Sequence, residues 1–281
     1  LAWALEPELK QYPEDRTYQQ SDRGFRQYQA TSVHGTGKFA LTFDDGPHAI
    51  HTPKLLDLLK AEGVKATFFV VTSRINAQTM PVLKRMLDEG HIVASHGREH
   101  LNSNQISQAD FRANLRDSLK TLKDVFARAG HEFAPIYFRY PYAAYGERPD
   151  YHHMNTLQEV SRELFGDNCI QFAFWDIDSA DWVPSMTSQD IYQTLRAHHE
   201  GGTYFEFRTV RNAQGQVTYV KVPRSMTNPP QGGVILQHDI HEKTREGTRL
   251  FIQYVKQQGL QIVTLPEIEE YAVKRECGFL N

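Results

Sequence analysis

Residues 38–71 read KFALTFDDGPHAIHTPKLLDLLKAEGVKATFFVV, and this stretch decides the fold. Phe39–Phe43 and Ala66–Val71 are runs of apolar, β-branched and aromatic residues. Between them, Leu55, Leu56, Leu58 and Leu59 fall at helical spacing within Lys54–Lys60. A strand without apolar–polar alternation, then a helix, then another such strand describes a parallel sheet covered by helices. The rhythm continues along the chain. Further strands are expected at Ile92–Ser95, Ile136–Tyr140, Ile170–Ile177, Val234–Gln237 and Gln261–Thr264. Helices are expected at Met80–Leu87, ended by Gly90, and at Gln108–Ala129, opened by Ser107 as N-cap and closed by Gly130. Others are expected at Ser188–His198, at Arg245–Gln257 before Gly259, and at Glu267–Lys274. About seven such units predict an α/β fold, a distorted (β/α) barrel of about seven parallel strands. An open doubly wound sheet is the alternative.

Two stretches interrupt the rhythm. Thr203–Phe207 and Val217–Val222 are strand-like and flank Asn212-Ala213-Gln214-Gly215, which predicts an inserted β-hairpin. Ala143–Asp167 is long and irregular at its start. Both are expected to be loops at the mouth of a site. Residues 1–37 are polar and carry no sustained period, so they are read as an N-terminal extension to a domain spanning 38–281.

Composition narrows the function classes. The 281 residues carry a formal net charge of −3 and no Lys/Arg-rich run, which argues against a nucleic-acid partner. No apolar run approaches the roughly 18 residues of a membrane span. The two cysteines, Cys169 and Cys277, are too few for a disulfide framework. They could form one bridge in an oxidising compartment or stay as free thiols. Ala2-Trp3-Ala4 fits the small-x-small pattern before an export cleavage site, and equally an ordinary terminal tail.

The chemistry gathers at strand ends. Asp44 and Asp45 follow the first strand; His96 and His100 follow Ile92–Ser95; Arg139 ends Ile136–Phe138 with Pro141 and Tyr142 beyond. Asp178 and Asp181 follow Phe174–Ile177, and His238 follows Ile235-Leu236-Gln237. In α/β barrels the C-terminal strand ends converge on the site. Two histidines four apart share one face of a helical turn. One carboxylate with two imidazoles leaves positions open on a divalent metal, as at catalytic rather than structural zinc. The second aspartate is then free to take a proton. His-x-x-x-His alone is common on solvated or core helices; the adjacent Asp44-Asp45 gives it meaning. Asp44-Asp45-Gly46-Pro47 has a bland reading as a surface turn. Arg139 could be a structural ion-pair partner, and Trp182 or Tyr142 a packed aromatic. Asp178 and Asp239 are read as supporting residues or loop caps. His34, His91, His131, His152, His153, His198 and His199 are assigned no role.

Five segments, in order, carry a resemblance. Thr42-Phe43-Asp44-Asp45-Gly46-Pro47, Ser95-His96-Gly97-Arg98-Glu99-His100, Phe138-Arg139-Tyr140-Pro141-Tyr142, Asp178-Ser179-Ala180-Asp181-Trp182 and Leu236-Gln237-His238 resemble the five motifs of the polysaccharide deacetylases of the NodB-homology family, carbohydrate esterase family 4. The likeness runs from about Lys38 to the C-terminus and leaves out residues 1–37 and the 203–222 hairpin. It implies that Asp45, His96 and His100 hold a divalent metal, zinc or sometimes cobalt. It implies Asp44 as general base held by Arg139, and His238 as general acid oriented by Asp181. The backbone N–H of Tyr142 is then an oxyanion donor, and Trp182 and Leu236 wall the acetyl pocket. Gly97 stands where the family usually carries Ser or Thr, which is expected to alter loop geometry more than chemistry. The family gives His48 and His51 no role.

The resemblance implies a hydrolase acting on an N-acetylated polysaccharide. Peptidoglycan is the first expectation, with chitin, chito-oligosaccharides, poly-N-acetylglucosamine or acetylated xylan as rivals. A periplasmic or secreted location follows from the substrate class. A catalytically silent glycan-binding protein, and a deacylase of a small nitrogenous metabolite, are the readings from other classes.

Overall fold

The structure, a computed structural model, describes residues 28–146, 153–211, 213–272 and 277–280. Its main sheet is parallel throughout. It contains β1 (Lys38–Asp44), β2 (Thr67–Val70), β3 (Ile92–Ser95), β4 (Tyr137–Phe138), β5 (Gln171–Phe172) and β6 (Ile177–Asp178). The inserted hairpin is β7 (Gly202–Arg211) with β8 (Val217–Met226); β9 (Gly233–His238) and β10 (Gln261–Val263) return to the main sheet. The order is β5-β4-β3-β2-β1-β9-β6, with β10 beside the first half of β1. The helices are α1 (His51–Glu62), α2 (Met80–Asp88), α3 (Gln108–Ala129), α4 (His153–Leu164), α5 (Ser188–Glu200) and α6 (Glu242–Gln257).

This is the distorted barrel expected from the sequence. The sheet's edges are β5 and β6; β5 and the first residue of β6 fall within the single strand expected at Ile170–Ile177. Its first part pairs with β4 and its last with β9. Between them the chain crosses from one edge to the other, which bends an open sheet nearly closed and excludes the doubly wound alternative. The strand splits because Ala173 and Phe174 turn their carbonyls to the Arg139 side chain.

Strand alternation then sorts the side chains. Phe39, Leu41 and Phe43 of β1 pack outward with Leu55, Leu56 and Leu59 of α1. Ala40 points inward, with Phe69, Ala94, Tyr137, Ala173 and Val234 from neighbouring strands. Ala30 and Val33 join this inner layer, so the last part of the 1–37 extension packs into the barrel. By the same period of two, Thr42 and Asp44, Leu236 and His238 continue the inward rows toward the C-terminal rim.

Two expectations are corrected. Ala143–Asp167 is not loop throughout: His153–Leu164 forms α4, with Met154, Leu157, Val160 and Ser161 buried at helical spacing. Buried polar residues such as Thr156 and Gln158 mask that stripe in the sequence. The helix expected at Glu267–Lys274 is instead a pair of short 3-10 turns, Leu265–Glu267 and Glu269–Tyr271. Leu265, Ile268 and Tyr271 are buried three apart, and a three-residue turn aligns that spacing. Lys274 lies outside the described residues.

The hairpin is antiparallel in the register Gly202↔Met226 to Arg211↔Val217, longer at each end than its apolar runs suggested. Cys169 and Cys277 are joined, with Cα atoms 5.7 Å apart. Among the described residues no helix is long and apolar enough to cross a membrane.

Candidate active site and metal centre

Register brings the motif residues to one level. Asp44 of β1 lies opposite His238 of β9. Ser95 of β3 lies opposite Phe138 of β4, so His96 and Arg139 leave their strands side by side. The backbone N–H of Arg139 donates to Ser95, and that of His96 to Val70.

Arg139 is fully buried inside the barrel. Its Nη1 donates to Asp44 Oδ1 at 2.9 Å and to Thr42 Oγ1 at 2.7 Å. Its Nε and Nη2 donate to the carbonyls of Ala173 and Phe174 at 2.7 and 2.9 Å. The guanidinium also lies 4.1 Å from the Phe69 ring centroid. A fixed fork of donors is thereby spent on fixed acceptors, which sets the Asp44 carboxylate in one orientation. Burial pushes the Asp44 carboxyl above its ordinary value, while Arg139 and His238 pull it down.

Asp45 adopts a left-handed backbone, φ 75°, which turns its carboxylate back toward the histidines. Its Oδ1 lies 3.2 Å from His100 Nε2 and 3.7 Å from His96 Nε2. That oxygen is buried and has no hydrogen-bond partner among the described residues. His96 Nδ1 sits 2.8 Å from the Arg139 carbonyl and can only donate to it, which leaves a lone pair on Nε2 facing Asp45. Burial drives the His96 pKa down to about 3 and lowers that of His100, so both imidazoles are neutral at pH 7. Ligand atoms of Asp45, His96 and His100 all lie within 4.8 Å of one another. An orphaned carboxylate oxygen facing two neutral imidazoles fits a divalent cation.

The third unit is His238 with Asp181. The imidazole Nδ1 lies 2.7 Å from Asp181 Oδ1, while Asp181 Oδ2 accepts from the His238 backbone N–H and from Thr244. Burial opposes charge on His238, but Asp181 outweighs it and holds the pKa at about 10. Burial likewise opposes charge on Asp181, and His238 outweighs it in turn. The pair is an imidazolium held by a carboxylate, able to give up a proton.

Tyr142 follows in a left-handed turn, φ 58°, with its exposed ring 4.5 Å from that of His100. Leu236 is buried on β9 opposite Thr42. Trp182, next to Asp181, is partly buried against the core and against the hairpin. Every residue singled out from the motifs is therefore at this rim. Asp178 caps the turn by accepting from the Ala180 N–H at 2.7 Å. His48 caps α1, its Nδ1 accepting from the N–H groups of Ile50 and His51, both at 3.1 Å.

Some contributors were missed. Thr42 and Thr244 bind Arg139 and Asp181; the one available signal was a hydroxyl inside an apolar strand or on a helix's inner face. Asp239 accepts from Thr52 and packs against Gly46, where an added Cβ would lie 2.2 Å from its carboxylate. Burial raises the Asp239 carboxyl to about 7. Asn114 of α3 braces the loop between His96 and His100, accepting from Arg98 N–H and donating to the Glu99 carbonyl. Its Oδ1 would lie 2.6 Å from a Cβ on Gly97. The side chain of Asn114 thus fills the space beside Gly97, a coupling no local motif displays.

The polysaccharide deacetylase family model matches residues 32–156. The chain is 32% identical over 241 residues to the peptidoglycan-N-acetylglucosamine deacetylase PgdA of Listeria monocytogenes serotype 1/2a (strain 10403S), a match covering 86% of this chain and 40% of that protein. It thus spans well under half the length of that relative. The fold superposes on the Bc1960 peptidoglycan N-acetylglucosamine deacetylase with a TM-score of 0.61 and 26% identity, covering 87% of this chain and 93% of the other. For a family 4 acetyl xylan esterase from Clostridium thermocellum, in complex with a cobalt ion, the values are 0.59 and 25%, with coverage of 82% and 89%. With the five motifs gathered on one barrel rim, the chain is similar to the polysaccharide deacetylase family in sequence, fold and site residues.

Proposed function

We propose that this chain hydrolyses N-acetyl groups from N-acetylglucosamine residues of a polysaccharide, peptidoglycan first, in a reaction that depends on a divalent metal. The observation that carries the reading is the orphaned Asp45 oxygen facing two neutral imidazoles beside two further, oppositely charged pairs. Asp45, His96 and His100 would hold the metal, zinc or cobalt. Such an ion supplies Lewis acidity and acidifies water. Asp44, oriented by Arg139, accepts the proton of the attacking water. The backbone N–H of Tyr142 donates to the developing oxyanion. His238, charged and held by Asp181, delivers a proton to the departing amine, which an amide requires and an ester needs far less. Leu236 and Trp182 wall the acetyl group. The side chains of Asp45, His100 and His238 keep 16%, 26% and 13% of their surface exposed, so substrate can reach them. That favours an enzyme over a silent glycan-binding protein. Residues 38–281 form the catalytic domain of this reading. The Cys169–Cys277 bridge and relatives named for cell-wall polymers support a periplasmic or secreted location.

The test is acetate release from purified peptidoglycan and from chitin oligomers, with added zinc or cobalt and with a chelator. Metal-dependent release is expected from peptidoglycan. Asp44→Asn should retain bound metal and lose turnover, whereas Asp45→Ala should lose both. Near-normal turnover in Asp44→Asn would remove the base assignment. Release from chitin alone would move the substrate.

A further inference from the structure

The hairpin β7–β8 lies outside the five motifs, yet it meets the site at Trp182. Phe207 and Tyr219 stand on the same face of the hairpin, since Phe207 pairs with Lys221 and Thr209 with Tyr219. Their rings lie edge-on to Trp182 at 4.5 and 5.1 Å, and 5.8 Å from each other. Trp182 adjoins Asp181, the partner of His238. Despite this packing, Phe207 and Tyr219 remain 41% and 38% exposed. Among the described residues, the exposed large hydrophobics include only one other aromatic ring, Tyr142, which lies against His100. Among the described residues, these exposed rings therefore each adjoin a residue of the site, Trp182 or His100.

The hairpin is also fixed in place. Lys221 donates to Asp190 at 2.6 Å from its side chain and to Ser185 at 2.9 Å from its backbone. The backbone N–H of Phe205 donates to Thr194 of α5 at 3.1 Å. A held aromatic ledge with more than a third of each residue's surface exposed, continuous with the wall of the site, suits one kind of occupant. A pyranose ring presents a flat apolar face of axial C–H groups with hydroxyls at its edge, and ring faces bind such surfaces. We propose that Phe207 and Tyr219 form a saccharide subsite that holds a sugar unit of the polymer next to the one being deacetylated. This rests on the function proposed above and sets what it selects: a chain rather than a single sugar.

The experiment compares N-acetylglucosamine oligomers of increasing length on zinc-loaded protein. Phe207→Leu with Tyr219→Leu keeps apolar bulk against Trp182 and removes the flat rings. For the wild type, KM should fall as the oligomer lengthens. The double variant should raise KM on long oligomers about tenfold, a loss of about 1.4 kcal/mol, with kcat and the shortest substrate unchanged. Tyr219→Phe, which keeps the ring, should behave as wild type. An unaltered length dependence in the double variant overturns the subsite. So does an equal loss at every length, which marks a role in propping Trp182. Calorimetric binding of the longest oligomer separates the two proposals. If wild type releases no acetate, the activity fails by itself. Binding weakened about tenfold in the double variant then still supports the subsite, and equal binding removes it.

Discussion

At the scale of single residues the site holds two charge pairs, and each makes a different demand. Arg139 and Asp44 face one another buried inside the barrel, so each charge depends on the other. Arg139→Met should destabilise the protein by about 3–5 kcal/mol, because it leaves the Asp44 carboxylate buried and unpaired. Urea denaturation checks this, and adding Asp44→Asn should recover part of the loss; no recovery would mean that Arg139 acts mainly through the Ala173 and Phe174 carbonyls. His238 and Asp181 give a pH signature instead. The folded imidazole titrates at about 10 against an ordinary value of 6.5. A raised folded pKa adds stability that is full below 6.5 and is lost as pH rises toward 10. In metal-free protein the melting-temperature advantage of wild type over His238→Gln should therefore shrink steadily over that window. An advantage that grew with pH would contradict a charged His238.

At the scale of elements, the loop joining β3 to His100 shows what the sequence could and could not convey. His96 and His100 are legible as candidate ligands because a metal site would need those residue types at that spacing. The strands were legible because a barrel buries them on both faces and leaves uninterrupted apolar runs. Asn114 was not legible: it lies mid-helix, polar and ordinary, and acts through a contact that only the packing of α3 on β3 creates. Helix α4 was obscured for a related reason, since its buried face carries hydroxyls and an amide among the apolar residues. The expected helix at Glu267–Lys274 overlaps the 3-10 turns of Leu265–Tyr271, whose burial three apart serves either period. Gly97 joins the two kinds of information. Its φ of +85° and the Asn114 oxygen both oppose a side chain there. Gly97→Ser should cost about 1–3 kcal/mol of stability and weaken metal binding measured by competition with a chromogenic chelator. Combining it with Asn114→Ala removes the clash but not the backbone strain, so only partial recovery is expected. Full metal affinity in Gly97→Ser alone would show that the loop accommodates the hydroxyl.

At the scale of the whole molecule, the barrel is closed by a short bent stretch rather than by a continuous pair of strands, and the chain reinforces that side from outside. Cys169 lies just before β5, the strand that leads into the bend, and its bridge to Cys277 spans 108 positions of sequence. Beyond Cys277, Phe279 packs 4.4 Å from the ring of Phe165, the Leu280 N–H donates to the Leu164 carbonyl at 2.8 Å, and Lys123 lies over the Phe279 ring. The C-terminal segment is thus clamped across α3 and α4 where they cover β5. Restricting so long a loop removes much freedom from the unfolded chain, for which typical gains are about 2–4 kcal/mol. Cys277→Ser should lower stability by about that amount, and a phosphine reductant should lower wild type to the level of the variant. Activity at moderate temperature should persist in both, because Cys169 sits at the N-terminal end of β5 and the charged pairs lie at the opposite, C-terminal rim. Loss of activity at a temperature where the variant remains folded would mean that the clamp reaches through the Ala173 and Phe174 carbonyls to Arg139. The closing bend would then be part of the catalytic geometry as well as of the fold.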